Sequence, residues 1–265
     1  MVVNRLAAAG ILLTAIHDLH EPAADLLQQG EELAAFIRQH LQQDGSIRTA
    51  ETGAEPTADG EPFGGMALYG LAVSQRHRPA VWKAEALARA LLFYRQAWKS
   101  RPLPAMTAWL TLAFAEHFVG VKDRGCAEFV LEMGDWMCIM QYATDARNAK
   151  WTGGFKAWLN GKPALTAPST DTALILEALA QACLITRHLP DAQRYARYRE
   201  ALDLGAPFLM GLQYTDGNTL HFTPGYRAAL IGGYHSSHED GNLHVGHQAH
   251  AVGALVAYLE GTGAR

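Results

Sequence analysis

Apolar residues recur at helical spacing along almost the whole chain, and strand-like alternation is hard to find. That periodicity points to the all-α class. It predicts nine helices, near 3–17, 21–43, 62–77, 79–98, 103–118, 122–142, 169–188, 190–214 and 245–260. Proline marks several starts (Glu21-Pro22, Arg78-Pro79, Leu189-Pro190), where its missing N–H costs nothing. Ser169 is placed to cap the helix that follows Pro168.

The helices alternate in character. Those at 62–74, 103–115 and 245–259 are apolar nearly all round, whereas those at 79–98 and 190–203 carry charge on one side. Lys83, Glu85, Arg89 and Arg95 line the first charged face; Asp191, Arg194, Arg197 and Glu200 lie on the second. A helix that is apolar all round must be enclosed by protein, and a one-sided helix meets water. Odd-numbered helices are therefore expected inside and even-numbered ones outside, in two concentric layers.

A chain of 265 residues, 49% hydrophobic, is long enough to bury a large core as a single domain over 1–265. The formal charge of −4, without long runs of like charge, leaves no basic stripe for nucleic acid or an acidic membrane. Apolar runs stay short of the roughly 18 residues a membrane span needs. Cys126, Cys138 and Cys183 sit inside apolar helical patterns, as small core residues of a reduced protein. Arg5 and the apolar stretch Leu6–Ile16 read as an ordinary first helix, which makes the chain cytoplasmic; an export signal is the alternative.

The outer helices end alike. Phe36-Ile37, then Leu41-Gln42, then Asp44-Gly45-Ser46 close the first; Trp136-Met137, Met140-Gln141 and Gly153-Gly154-Phe155 close the second. Phe208-Leu209, Leu212-Gln213 and Asp216-Gly217-Asn218 close the third. Each is an aromatic and aliphatic anchor, then Gln, then a glycine turn, which makes Gln42, Gln141 and Gln213 structural candidates.

This pattern resembles a degenerate Gln–Trp repeat of the α/α toroids, the squalene–hopene cyclase and protein prenyltransferase superfamily, and the related sugar-active toroids. The resemblance implies an α/α toroid of two concentric layers of helical hairpins over about residues 21–260. Such toroids have about six hairpins and four and a half are found here. The ring is therefore expected to be open, smaller, or completed by a further helix within 219–244. Motifs that carry chemistry in those families are missing. The cyclases' Asp-x-Asp-Asp has only Ser169-Thr170-Asp171-Thr172 as a counterpart, and neither the prenyltransferase zinc set nor the Cys-His pair of lanthionine cyclases can be placed. The resemblance implies a fold and leaves the reaction open.

Outer-to-inner connections are long (44–61, 143–168, 215–244) except near 99–102, and inner-to-outer turns are short. In a hairpin ring the long ones share a face, where binding and catalysis usually reside. Residues expected there are Glu61, Trp109, Trp151, Phe155, Asp171 and His247 as substrate contacts, and Tyr234, His238, Glu239, Asp240, His250 and Arg227 as catalytic groups. Six of 12 histidines fall within 221–250. Imidazole beside carboxylate is the means by which a side chain moves protons near neutral pH. His238 or Tyr234 would be the base, Glu239 or Asp240 the acid, and Arg227 a carboxylate clamp. Competing readings are a solvated turn, or a His-ligated divalent metal through His235, His238, Glu239, His244 or His247, although no cofactor is required. Glu177 either faces the cavity or bonds a neighbouring helix. Trp109 and Tyr69 are either core or a stacking platform.

Three functions remain open. The first is a carbohydrate-active enzyme, a lyase, epimerase or hydrolase acting on a polyhydroxylated, acidic small-molecule or oligosaccharide substrate at the long-loop face. The second is a terpene-cyclase-like enzyme on an apolar substrate with Asp171 as acid. The third is a non-catalytic binding toroid or a domain of a larger enzyme.

Overall fold

The computed structural model describes residues 4–49, 62–143, 148–159 and 161–262. It is mainly helical, and its packing divides between Met133 and Gly134 into two compact units. The nine expected helices are all present: α1 (Arg5–Asp18), α2 (Ala24–His40), α3 (Phe63–His77), α4 (Val81–Ser100), α5 (Pro104–Val121), α6 (Arg124–Met140), α7 (Asp171–Ile185), α8 (Ala192–Gly211) and, last in the chain, α10 (Val245–Thr262). An additional helix, α9 (Pro224–Leu230), falls inside the window 219–244. Proline acts as expected at the starts. Pro22, Pro79 and Pro190 each directly precede an N-cap residue, and Pro104 and Pro224 occupy the first helical turn.

In the first unit α1, α3 and α5 lie side by side, with α2 packed on α1 and α3, and α4 on α3 and α5. α1 and α3 approach closely because Gly10 and Gly70 face each other: a Cβ on Gly70 would come within 2.2 Å of the Gly10 carbonyl oxygen. Leu110, Ala113 and Phe114 of α5 are wholly buried. α4 contributes a buried cation, Lys83. Its Nζ reaches Glu31 at 2.9 and 3.1 Å, Ser74 Oγ at 2.9 Å and the Arg78 carbonyl at 3.0 Å. These acceptors offset the cost of removing the ammonium from water.

In the second unit α7 and α10 lie side by side and α8 packs against both. The long connections hold the irregular structure. A 3-10 turn spans Ala149–Trp151, β1 (Trp158–Leu159) pairs antiparallel with β2 (Lys162–Pro163), and β3 (His235–Ser237) pairs antiparallel with β4 (Asp240–Leu243). These hairpins were not expected. Strands of two to four residues are too short for alternation to register.

α10 departs from the enclosed helix its composition predicts. Ala251, Ala254 and Ala257 are buried, but Val245, Val252, Val256 and Leu259 stand 88%, 57%, 49% and 51% exposed. The buried members of this set are alanines, small enough for close approach. The cysteines behave as expected: Cys126 and Cys183 are buried, Cys138 is half-buried, and none is in a disulfide. Burial pushes the Cys126 and Cys138 thiols up to about 12.

The repeat is real, and its register differs from the one the letters imply. Leu41, Gln141 and Gln213 occupy equivalent positions, bridged antiparallel to Ile47, Phe155 and Tyr234. The glycine two residues before each bridge partner has φ near +90°: Gly45 at 92°, Gly153 at 87° and Gly232 at 92°. The third turn is therefore Gly232-Gly233-Tyr234, not Asp216-Gly217-Asn218, because α9 is inserted between helix end and turn. Gln141 Nε2 donates to the carbonyls of Gly153 (2.9 Å) and Ala201 (2.8 Å), and Gln213 Nε2 donates to Gly232 (3.2 Å). Gln42 is one residue out of step and exposed, and its side-chain amide donates to the nearby His40 carbonyl at 3.1 Å.

Candidate active site

Two imidazole–carboxylate pairs lie along the contact between α7 and α10. His250 Nδ1 is 3.1 Å from Glu177 Oε2, and His247 Nε2 is 3.7 Å from Asp171 Oδ1. The sequence dictates this locally. His247 and His250 are three residues apart and so share a helix face. Gly253 continues that face without a side chain, and a Cβ there would come to 3.0 Å from Glu177 Oε1. Glycine lets α10 come close enough for the acid–base contact to form.

The β3–β4 hairpin is pinned beside the pairs. Gln248 forms a reciprocal bond with the Tyr234 backbone, accepting from its N–H at 2.6 Å and donating to its carbonyl at 2.7 Å. The Ser236 carbonyl accepts from the Thr170 N–H at 2.8 Å, and Ser237 bridges to Ser169. Thr170, wholly buried, is the N-cap residue of α7, and its hydroxyl lies 2.7 Å from His247 Nδ1. Ser169, the expected cap, precedes it and accepts from the Asp171 N–H at 3.1 Å.

Burial is the main effect holding His247 below the ordinary imidazole range, with neighbouring imidazoles adding to it and Asp171 and Asp240 opposing it. His247 therefore favours the neutral, proton-accepting form at neutral pH. Glu177 is half-buried and bonded to the neighbouring helix, one of the two arrangements expected for it. His244 stacks edge-on to His247 with ring centroids 5.0 Å apart.

The other candidates divide. His238 points elsewhere: its ring meets Phe208 edge-on at 5.7 Å and lines a cleft of about 330 Å³ with Lys150, Asp203 and Pro207. Burial, His235 and Lys150 hold its pKa low. Tyr234 is buried, and burial raises its phenol pKa, which does not suit it to act as a base. Glu239 and Asp240 are exposed at the hairpin tip, where Asp240 accepts from the Asn242 backbone and side chain. Arg227 pairs with the exposed Asp216 at 2.7 Å and donates to Thr219 Oγ1.

Phe155 is core, its N–H donating to Thr172 Oγ1. Trp151 packs against Tyr142 at 5.3 Å, and its buried indole N–H finds no acceptor among the described residues. Trp109 lies buried in the first unit against Tyr69. Glu61 lies outside the described residues. Among the described residues no three His, Cys, Asp or Glu side chains converge as a metal site needs.

Thr170 and Gln248 were missed. A threonine before an inner helix reads as a cap, and a glutamine beside two histidines reads as solvated. Only the hairpin, which the sequence does not announce, gives them their partners.

No family model and no curated protein matches this sequence. Solved structures do match. The crystal structure of a sugar epimerase from a ruminal bacterium aligns with a TM-score of 0.69 over 98% of this chain and 70% of that chain, at 12% identity. At that identity the likeness establishes a shared helical fold.

Proposed function

We propose that this chain is a carbohydrate-active enzyme of the epimerase kind, built on the two-layer α/α toroid expected from its helix pattern. His247 and His250 would be its proton-transfer groups. The observation that carries the reading is the pairing of each imidazole with a carboxylate on the facing helix. That a fold neighbour is a sugar epimerase supports it.

The chemistry follows from the groups. In the open-chain form of a reducing sugar, the carbonyl acidifies the adjacent C–H. A neutral imidazole removes that proton and leaves an enediolate. The second imidazole, as imidazolium, returns a proton to the opposite face, so the carbon inverts and the enzyme ends with its protons exchanged between bases. No electrons are lost or gained. Glycoside hydrolysis calls instead on two carboxylates flanking the bond, and here each carboxylate faces an imidazole. The groups bearing on His247 are Asp171, Asp240, His244 and His250. With Arg227 occupied by Asp216, this setting suits neutral sugars better than uronates.

The test is proton NMR in D2O with a panel of neutral aldohexoses, their N-acyl amino derivatives and reducing disaccharides. The expected result is loss of the C2–H signal of one panel member together with growth of its epimer. Silence across the whole panel would overturn the proposal.

A further inference from the structure

We infer that Thr170 is a positioning residue that fixes the tautomer of His247, placing the proton on Nδ1 and the lone pair on Nε2. The inference rests on the reading of His247 as a proton-transfer group, but the tautomer can be measured without any substrate.

The argument is a count of protons. The Thr170 hydroxyl has one hydrogen and two close partners, the Ser236 carbonyl at 3.2 Å and His247 Nδ1 at 2.7 Å. A carbonyl oxygen can only accept. If the hydroxyl donates to Ser236, its lone pair must accept from Nδ1, so Nδ1 bears the proton. If it donates to Nδ1 instead, the hydroxyl and carbonyl oxygens face each other with no hydrogen between them, in a buried site where that costs most. Only the Nδ1–H form satisfies both contacts.

Thr170 cannot readily turn away. Its own N–H is bonded to the same Ser236 carbonyl at 2.8 Å, and its side chain is wholly buried. The hairpin therefore supplies, through one carbonyl, both the anchor for the α7 cap and the acceptor that orients the hydroxyl. In the neutral ring the lone pair then lies on Nε2, which is 3.7 Å from Asp171 Oδ1; that is too far for a hydrogen bond and the Asp171 side chain is 83% exposed, so this carboxylate does not set the tautomer. Nε2 can take a proton, and Asp171 can hold the resulting imidazolium. His250 follows the same rule with a different partner, since a carboxylate oxygen of Glu177 accepts and Nδ1 must donate. In both rings Nδ1 is the held nitrogen, by a hydroxyl in one and by a carboxylate in the other.

The experiment is a two-bond proton–nitrogen correlation spectrum of the full chain labelled with 15N-histidine at mildly alkaline pH. The His247 signals are assigned by their loss in His247→Gln. The expected wild-type pattern is protonated Nδ1 and lone-pair Nε2. In Thr170→Val that pattern is expected to give way to a mixture or to Nε2–H, and Thr170→Ser to restore it. A wild-type Nε2–H tautomer overturns the inference, as does a Val variant that keeps pure Nδ1–H. Should Val fail to fold, the wild-type and Ser spectra still decide. Sugar exchange is measured separately: its absence beside the expected tautomer would sink the epimerase reading and leave the tautomer assignment standing.

Discussion

Glu177 Oε2 accepts from His250 Nδ1 at 3.1 Å, joining the middle of α7 to the first turns of α10. The contact holds one ring nitrogen of His250, and on the proposed function it orients the imidazole as a buried carboxylate does in established proton-transfer sites. Glu177→Gln keeps the shape but removes the charge that stabilises the imidazolium. Turnover should fall by roughly 10²-fold. Because the pair is partly exposed, thermal stability should move by no more than about 1 kcal/mol. A variant that melts normally and turns over normally would separate Glu177 from the chemistry.

The pH dependence of stability has a fixed sign. Burial is the first cause holding His17, His117, His238 and His247 below the ordinary imidazole pKa. In the folded state each binds its proton less readily than in the unfolded chain, so stability rises with pH. Their contribution is complete above about pH 6.5, the unfolded value, and declines as pH falls toward the folded values. Melting temperature should be flat from pH 7 to 8 and drop between pH 6.5 and 5.5. A flat profile to pH 5.5 would show these rings protonating freely.

The turn glycines should differ in cost. Gly45 and Gly153 have positive φ, and a Cβ at each would fall 2.3 Å from the Arg89 carbonyl oxygen and 2.0 Å from that of Leu204. Gly232 has the same conformation, but open space lies where its Cβ would be. Gly232→Ala should therefore cost about 1 kcal/mol, the conformational term alone. Gly45→Ala and Gly153→Ala should cost about 2 kcal/mol or more, since backbone must also move. Denaturant melts giving equal losses at all three would refute the distinction.

The glutamines should rank by their bonds. Gln141→Ala, which loses two carbonyl contacts in a part-buried site, should destabilise by about 1–2 kcal/mol. Gln213→Ala should cost less and Gln42→Ala about nothing, within about 0.5 kcal/mol. A uniform loss across the three would restore Gln42 to the repeat.

The fold was legible where a long period writes it. The nine long helices, Pro22, Pro79 and Pro190 at their starts, and the buried cysteines all follow from residue spacing. What could not be read was decided by short segments. The three letters of Gln42, Gln141 and Gln213 look alike, yet only backbone pairing shows that Leu41, and not Gln42, is the first member. The insertion of α9 hid Gly232 behind the more obvious Gly217. Location of the histidines was legible, and partnership was not. His247 and His250 meet Asp171 and Glu177 through two helices distant in sequence, whereas Glu239 and Asp240, adjacent to His238, end at an exposed hairpin tip. Nearness along the chain was a poor guide to which acid serves which base.

The central claim is that His247 and His250 act as two bases on opposite faces of one carbon. Deuterium exchange at the sugar C2, followed separately from each epimer in His247→Gln and His250→Gln, tests it most directly. Each variant should lose interconversion by roughly 10²–10⁴-fold while still exchanging the C2 proton of one epimer, a different epimer in each. Interconversion at the wild-type rate in either variant would contradict the account.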